Sequence, residues 1–261
     1  MEATTIEKYG EELYHALRTR ATVTPLTERE TDITIKDAYD ISRHLLARRQ
    51  QDGERLIGKK IGVTSQTVQR MMNVHQPDFG FLTDAMISAT GAPMEISSRL
   101  IAPRAEGEIA FILKRDLNGP GITNADVIRS TEYVMPCFEI VDSRIRDWKI
   151  KIQDTIADNA SSGLFVLGDH ALSPRKIDLT TCGMVVERNG EIISTGAGAA
   201  ALGSPVNCVT WLANTLGAFG IPLKAGEVIL SGSLVPLQPV EAGDYMNLTV
   251  GGLGTASVRF C

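Results

Sequence analysis

The run Pro103-Arg104-Ala105-Glu106-Gly107-Glu108-Ile109-Ala110-Phe111-Ile112-Leu113 constrains the fold more than any other stretch of this chain. β-branched and aromatic residues fill its second half and no proline follows Pro103, so it reads as a β-strand. Side chains alternate along a strand, which sends Gly107, Ile109, Phe111 and Leu113 toward a core and puts Glu106 and Glu108 together on the other face. Two carboxylates about 7 Å apart on one strand repel each other. A hard divalent cation, Mg²⁺ or Mn²⁺ rather than zinc, would offset that repulsion. The simpler alternative is a solvated sheet edge with two exposed glutamates. A third carboxylate, Glu139, lies inside the mostly apolar run Val134–Asp142, where burial is costly without a partner or a metal. Glu106, Glu108 and Glu139 are therefore read as a candidate three-carboxylate metal site, with other metal positions left for water and substrate.

The rest of the composition narrows the function classes. A formal charge of −5 and a pI near 5.5 argue against nucleic acid as the main partner. No apolar run reaches 18 residues, so no membrane span is expected. The N-terminus lacks a basic segment followed by an apolar one, which predicts no signal peptide and a cytoplasmic location. Cys137, Cys182, Cys208 and Cys261 are far apart, with no C-x-x-C pair, and are expected as buried thiols. The four histidines form no metal-binding spacing.

Taken in order, residues 1–55 read as a helical N-terminal region and 56–261 as a β-rich catalytic body. Ile6, Tyr9, Leu13 and Leu17 recur at helical spacing, and Thr34-x-x-Asp37 opens a second helix that Gly53 can end. Leu56–Thr64 reads as a strand in which Lys59 and Lys60 face opposite ways, which leaves open that one points inward, with two surface lysines as the favoured reading. Ser65 is placed as the cap of a short helix, and Gln76–Gly80 as a turn containing Asp78. Thr123-x-x-Asp126 opens another helix. The polar run Asp154–Gly163 reads as a loop, either ordinary or one that admits a ligand. Asn189-Gly190 marks a hairpin, and Ser204-Pro205 a helix start. The glycine-rich stretch Gly196–Gly203 lacks the spacing and the βαβ context of a dinucleotide loop. Short strands near 227–231, 245–250 and 255–260 complete an α+β fold with a sandwich or rolled sheet.

Gly58–Thr64, Gln76–Gly80, Pro103–Glu108, Asp142–Trp148, Ala157–Ser161 and Thr195–Pro205 together resemble the hydratase/decarboxylase branch of the fumarylacetoacetate hydrolase superfamily, in order and over nearly the whole chain. The resemblance implies a mixed β-sandwich roll of that family's C-terminal-domain type, with a helical N-terminal region. It implies a homo-oligomer, pentamer or decamer, and Mg²⁺ or Mn²⁺ on Glu106, Glu108 and Glu139. The implied activity is hydration of 2-hydroxypenta-2,4-dienoate to 4-hydroxy-2-oxopentanoate in meta-cleavage catabolism of aromatic compounds. By match to the family, Lys60 carries protons with a pKa lowered by the cation and partial burial. Asp78 orients Lys60 or water, and Ser161 binds a substrate oxygen or a metal-bound water. The sister activity is 4-oxalocrotonate decarboxylation of 2-oxohex-3-enedioate. Those decarboxylases carry Pro-Glu-Ile-Ala where this chain has Gly107-Glu108-Ile109-Ala110, and they depart from Arg146–Lys151, so the hydratase form is favoured. A subunit acting mainly as structural partner of the decarboxylase is the remaining alternative.

Overall fold

A computed structural model describes residues 1–261 except the side chain of Met71. The chain opens with α1 (Ala3–Thr19), the short α2 (Leu26–Arg29) and α3 (Ile35–Gln51). The apolar stripe of α1, Tyr9, Leu13 and Ala16, meets Ala38, Ile41 and Leu45 of α3 in one buried cluster. Thr34 caps α3 as its spacing to Asp37 predicts. Its hydroxyl accepts from the Asp37 amide at 3.1 Å, and the Asp37 carboxylate accepts from the Thr34 amide at 3.0 Å. A cap of this kind stabilises the helix by about 1 kcal/mol. No helix among the described residues is long and apolar enough to cross a membrane.

The body follows as β1 (Leu56–Gly62), α4 (Gln66–Met71), β2 (Asp78–Thr83), β3 (Ile87–Ala89), β4 (Pro93–Met94) and α5 (Ile96–Arg99). Next come β5 (Arg104–Leu113), α6 (Asn124–Ser130), β6 (Thr131–Val141), α7 (Ile152–Ala157) and β7 (Ser162–Leu167). The hairpin β8 (Gly183–Arg188) and β9 (Glu191–Ala197) leads to α8 (Pro205–Gly217). β10 (Val228–Leu230), β11 (Gln238–Pro239), β12 (Tyr245–Val250) and β13 (Gly254–Phe260) end the chain.

These strands form two sheets. The larger runs β2-β1-β10-β5-β6-β7-β3, with β11 also on β5; the smaller runs β4-β13-β12-β8-β9. Pairing is mixed, with β1 parallel to β10 and β5 antiparallel to both neighbours. Alternation along β5 does what its sequence predicts. Ile109, Phe111 and Leu113 enter the main core together with Met246, Leu248 and Phe260 of the smaller sheet. On the opposite face, Ala110, Cys137, Phe165 and Leu230 belong to a second apolar cluster. The expected α+β sandwich is therefore the observed architecture. A solvated edge for Glu106 and Glu108 is not, because β5 lies inside the larger sheet between β10 and β6.

Other local readings fare unevenly. Asn189 and Gly190 both take positive φ, 54° and 87°, as the hairpin turn requires. Thr123 and Asp126 form the expected capping box. Ser65 and Ser204 stand at the N-cap positions of α4 and α8, but neither side chain makes a capping hydrogen bond. Cys261 is exposed, whereas the other three thiols are buried as expected. The run Asp154–Gly163 is no surface loop: α7 occupies its first part and the rest is buried. Its polar side chains are consumed internally. Asp154 accepts from the Lys151 amide at 2.9 Å, from the Thr27 amide at 3.0 Å and from the Thr27 hydroxyl at 2.7 Å, tying α2 to α7.

Candidate active site

The β5–β6 register sets Glu106 directly opposite Glu139, and Glu108 opposite Cys137. Glu106, Glu108 and Glu139 each offer a carboxylate oxygen within 4.8 Å of the other two. Glu108 and Glu139 are enclosed, at 0% and 1% exposure. Glu108 Oε2 accepts from the Gly232 amide at 2.9 Å, while Glu108 Oε1 and both Glu139 oxygens have no hydrogen-bond partner. Buried carboxylate oxygens without partners are costly, and a hard divalent cation is the ligand that suits an all-oxygen donor set. The residues present therefore fit Mg²⁺ or Mn²⁺.

Electrostatics point the same way. Burial, and then the Glu139 carboxylate, push Glu106 up to about 7. Glu108 is raised well above the carboxylate range by burial, then by Glu139 and Glu106. Burial also raises Glu139, despite the opposing pull of Lys60. Cys137 follows: burial raises its thiol, with Glu108 and Glu139 adding to the effect.

Lys60 projects from β1 into this group. Its Nζ lies 3.2 Å from Glu139 Oε1, an ion pair without the alignment of a hydrogen bond. The expectation of two surface lysines is overturned, since Lys59 and Lys60 are 1% and 2% exposed. Alternation separates them as predicted, and each finds its own carboxylate. Lys59 Nζ donates to Glu227 at 2.5 and 2.6 Å on the far face. Burial alone would lower the Lys60 pKa, but Glu139, Asp78, Glu106 and Glu108 outweigh it and raise the value. Among these four carboxylates the ammonium is the stable form, and the lowering expected from sequence depends on the cation.

Asp78 is also placed differently from expectation. It is the first residue of β2, 1% exposed, paired in register with Gly62. Burial raises its pKa against the pull of Lys60, and its Oδ1 has no hydrogen-bond partner. A Cβ at Gly62 would overlap that Oδ1 and sit 3.4 Å from Lys60 Nζ, so the missing side chain leaves room for both groups.

Ser161 comes from a tight turn after α7. Asn159, Ala160 and Ser161 have φ of 54°, 51° and 52°, three successive left-handed non-glycine residues. Each costs roughly 1–2 kcal/mol in an L-residue. Ser161 Oγ lies 3.1 Å from Thr155 Oγ1. A cavity of about 120 Å³ brings Lys60, Asp78, Glu106, Thr155 and Ser161 to one surface. Its other walls are apolar: Val63, Val68, Met72, Ile150 and Leu237 among them. Lys60 is the one basic side chain lining it among the described residues. Thr155 is the site residue that sequence reading missed, because a single threonine hydroxyl among polar neighbours carries no spacing signal of its own.

The raised carboxylates predict a pH dependence of stability. Glu106 binds its proton more tightly folded than unfolded, so its contribution is greatest below the ordinary carboxylate pKa and is lost as pH rises through about 7. Asp158, pushed up to about 6 mainly by burial, acts in the same direction. Thermal melting in excess chelator should therefore show stability falling between about pH 5 and pH 7.5. Saturating Mg²⁺ should flatten that slope. A metal-free stability that rises over the window would contradict the assignment.

The family profile described as fumarylacetoacetate (FAA) hydrolase C-terminal matches residues 55–260. The chain belongs to this family. Among its relatives is a 2-hydroxypent-2,4-dienoate hydratase of Pseudomonas putida, 70% identical over 221 residues, covering 85% of this chain and 100% of that one. A 2-hydroxyhexa-2,4-dienoate hydratase of Comamonas testosteroni is 58% identical over 256 residues, 98% of this family member and 97% of the relative. The solved 4-oxalocrotonate decarboxylase from Pseudomonas putida G7, complexed with magnesium and adipate, superposes with a TM-score of 0.97 at 35% identity, covering 100% and 99% of the two chains.

Proposed function

We propose that this member of the fumarylacetoacetate hydrolase family is a metal-dependent hydro-lyase that hydrates 2-hydroxypenta-2,4-dienoate to 4-hydroxy-2-oxopentanoate in meta-cleavage catabolism. The observation that carries the reading is the 70% identity to a hydratase of that substrate over its whole length. The cavity supports it. A monocarboxylate needs one polar end and tolerates an apolar far wall, which is what Val63, Val68, Met72, Ile150 and Leu237 supply.

Glu106, Glu108 and Glu139 would hold Mg²⁺ or Mn²⁺, which when bound supplies Lewis-acid stabilisation of negative charge at the substrate's carboxylate and 2-oxygen. The residues of the chain do the rest. Loss of the enol proton and gain of a proton at C5 turn the dienol into 2-oxopent-3-enoate, with its double bond between C3 and C4. The Lys60 ammonium, kept charged by its carboxylate neighbours, is the donor for C5 and is recharged by the enol proton. Water oxygen then bonds to C4 while C3 gains a proton, so one water is added overall. Asp78, beside Lys60 and lacking a partner for Oδ1, orients the ammonium, receives the proton of the incoming water and passes it to C3. The Ser161 hydroxyl, braced by Thr155, binds a substrate oxygen.

Decarboxylation is the second reading, favoured by the close superposition on a decarboxylase. Its dicarboxylate substrate would carry a second negative end into a cavity that has no second basic side chain among the described residues. The test is a Mg²⁺-dependent assay on freshly generated 2-hydroxypenta-2,4-dienoate, with the product identified by mass. A gain of one water that chelator abolishes is expected. Carbon dioxide release from 2-oxohex-3-enedioate, without hydration, would overturn it.

A further inference from the structure

Resting on that reading, we infer that Asn159, locked by the buried Arg144–Asp158 pair, is a positioning residue that holds the Ser161 hydroxyl against the strand carrying Asp78. Neither Asn159 nor Arg144 borders the cavity, so neither acts on substrate directly. The Asn159 side chain instead makes a two-way bridge to β2. Its Oδ1 accepts from the Phe81 amide at 2.8 Å, and its Nδ2 donates to the Phe81 carbonyl at 2.9 Å. This bridge is three residues from Asp78 on one side and two from Ser161 on the other. Approach is close enough that a Cβ at Gly80 would lie 2.5 Å from the Asn159 carbonyl oxygen, so β2 needs glycine there.

The turn itself is held from behind. Arg144 is 1% exposed. Its Nε donates to Asp158 Oδ1 at 2.5 Å, one terminal nitrogen to the Asp158 carbonyl at 2.6 Å, and the other to the carbonyls of Asp142 and Ser162. The Arg144 amide donates to Asp158 Oδ2 at 2.9 Å. The Asp142 amide donates to the Ser161 carbonyl at 2.8 Å, which fastens the turn to the end of β6, the strand of Glu139. Three consecutive left-handed residues persist only where their surroundings over-determine them, and this network does so. The geometry fixes the substrate-binding Ser161 turn relative to the strand of Asp78 without touching Glu106, Glu108 or Glu139.

The experiment is a double-mutant cycle on the full chain with Mg²⁺. Asn159→Ala should lower kcat/KM about 100-fold, mostly through kcat, as expected for a misplacement near 1 Å. Mn²⁺ affinity, read by titration, should stay unchanged because its ligands sit on β5 and β6. In the Ser161→Ala background the same substitution should cost only a few-fold, since the group it positions is gone. Asn159→Asp keeps the side-chain shape and tolerates the left-handed backbone, but it replaces the donation to the Phe81 carbonyl by a carboxyl oxygen facing that carbonyl. It carries the cycle where the alanine variant fails to fold. Equal costs in both backgrounds, or a loss that merely tracks the unfolded fraction, overturn the inference. Wild-type protein that hydrates nothing overturns the functional reading and this inference with it.

Discussion

Glu106→Gln should lose divalent-cation affinity by at least about 100-fold, because even outer partners of metal ligands are worth 10–100-fold. Hydration should fall with it at any fixed, subsaturating Mg²⁺. Stability should move the other way. Glu106 is raised to about 7 by burial and by Glu139, so its ionised form is disfavoured in the metal-free fold. A neutral amide of the same shape removes that repulsion and leaves the Lys60–Glu139 pair in place. Metal-free Glu106→Gln should therefore melt no lower than wild type at pH 8, and higher where Glu106 would be ionised. Titration calorimetry and melting curves in chelator measure the two effects separately. Retained Mg²⁺ affinity would defeat the ligand assignment.

Lys60→Met should have the largest effect on turnover, about 10³-fold, the middle of the range for a positioned acid–base group. Here stability and metal binding diverge again. Without the ammonium, Glu139 is a buried charge lacking its cation, and removing one partner of such a pair costs about 3–5 kcal/mol. That loss should appear in chelator and shrink in Mg²⁺, since the metal offers the carboxylates a substitute charge. Lys60→Arg separates the two roles. It keeps a positive charge, and so most of the metal-free stability, but guanidinium does not give up its proton near neutral pH and turnover should stay low. Turnover of Lys60→Met within tenfold of wild type would remove Lys60 from the mechanism.

What sequence reading caught and missed divides along the range of the interactions. The Thr34–Asp37 and Thr123–Asp126 boxes, the Asn189-Gly190 turn and the alternation of Ile109, Phe111 and Leu113 each depend on neighbours a few positions away. All are legible without a fold. The carboxylate site was half legible: alternation pairs Glu106 with Glu108, and the cost of burying Glu139 marks it as special, but only the β5–β6 register brings the third to the other two. Burial of Lys59 and Lys60 was not legible, because Glu227 and Glu139, which make it tolerable, lie far along the chain. Asp154–Gly163 misled for a related reason. Its polarity suits solvent, yet Thr27, Arg144 and Phe81 take up its side chains inside the protein.

The cross-strand pairing of Glu106 with Glu139 also bears on how the chain reaches its native state. Closing a single antiparallel pair, β5 onto β6, assembles every carboxylate of the candidate metal site. Lys60, Asp78 and Ser161 arrive from three other segments, across longer loops. Loop-closure entropy rises with separation, so that pairing is the less demanding step. The proposed ion binding would thus be a property of one supersecondary unit and hydration a property of the whole chain, and during refolding the first should mature ahead of the second.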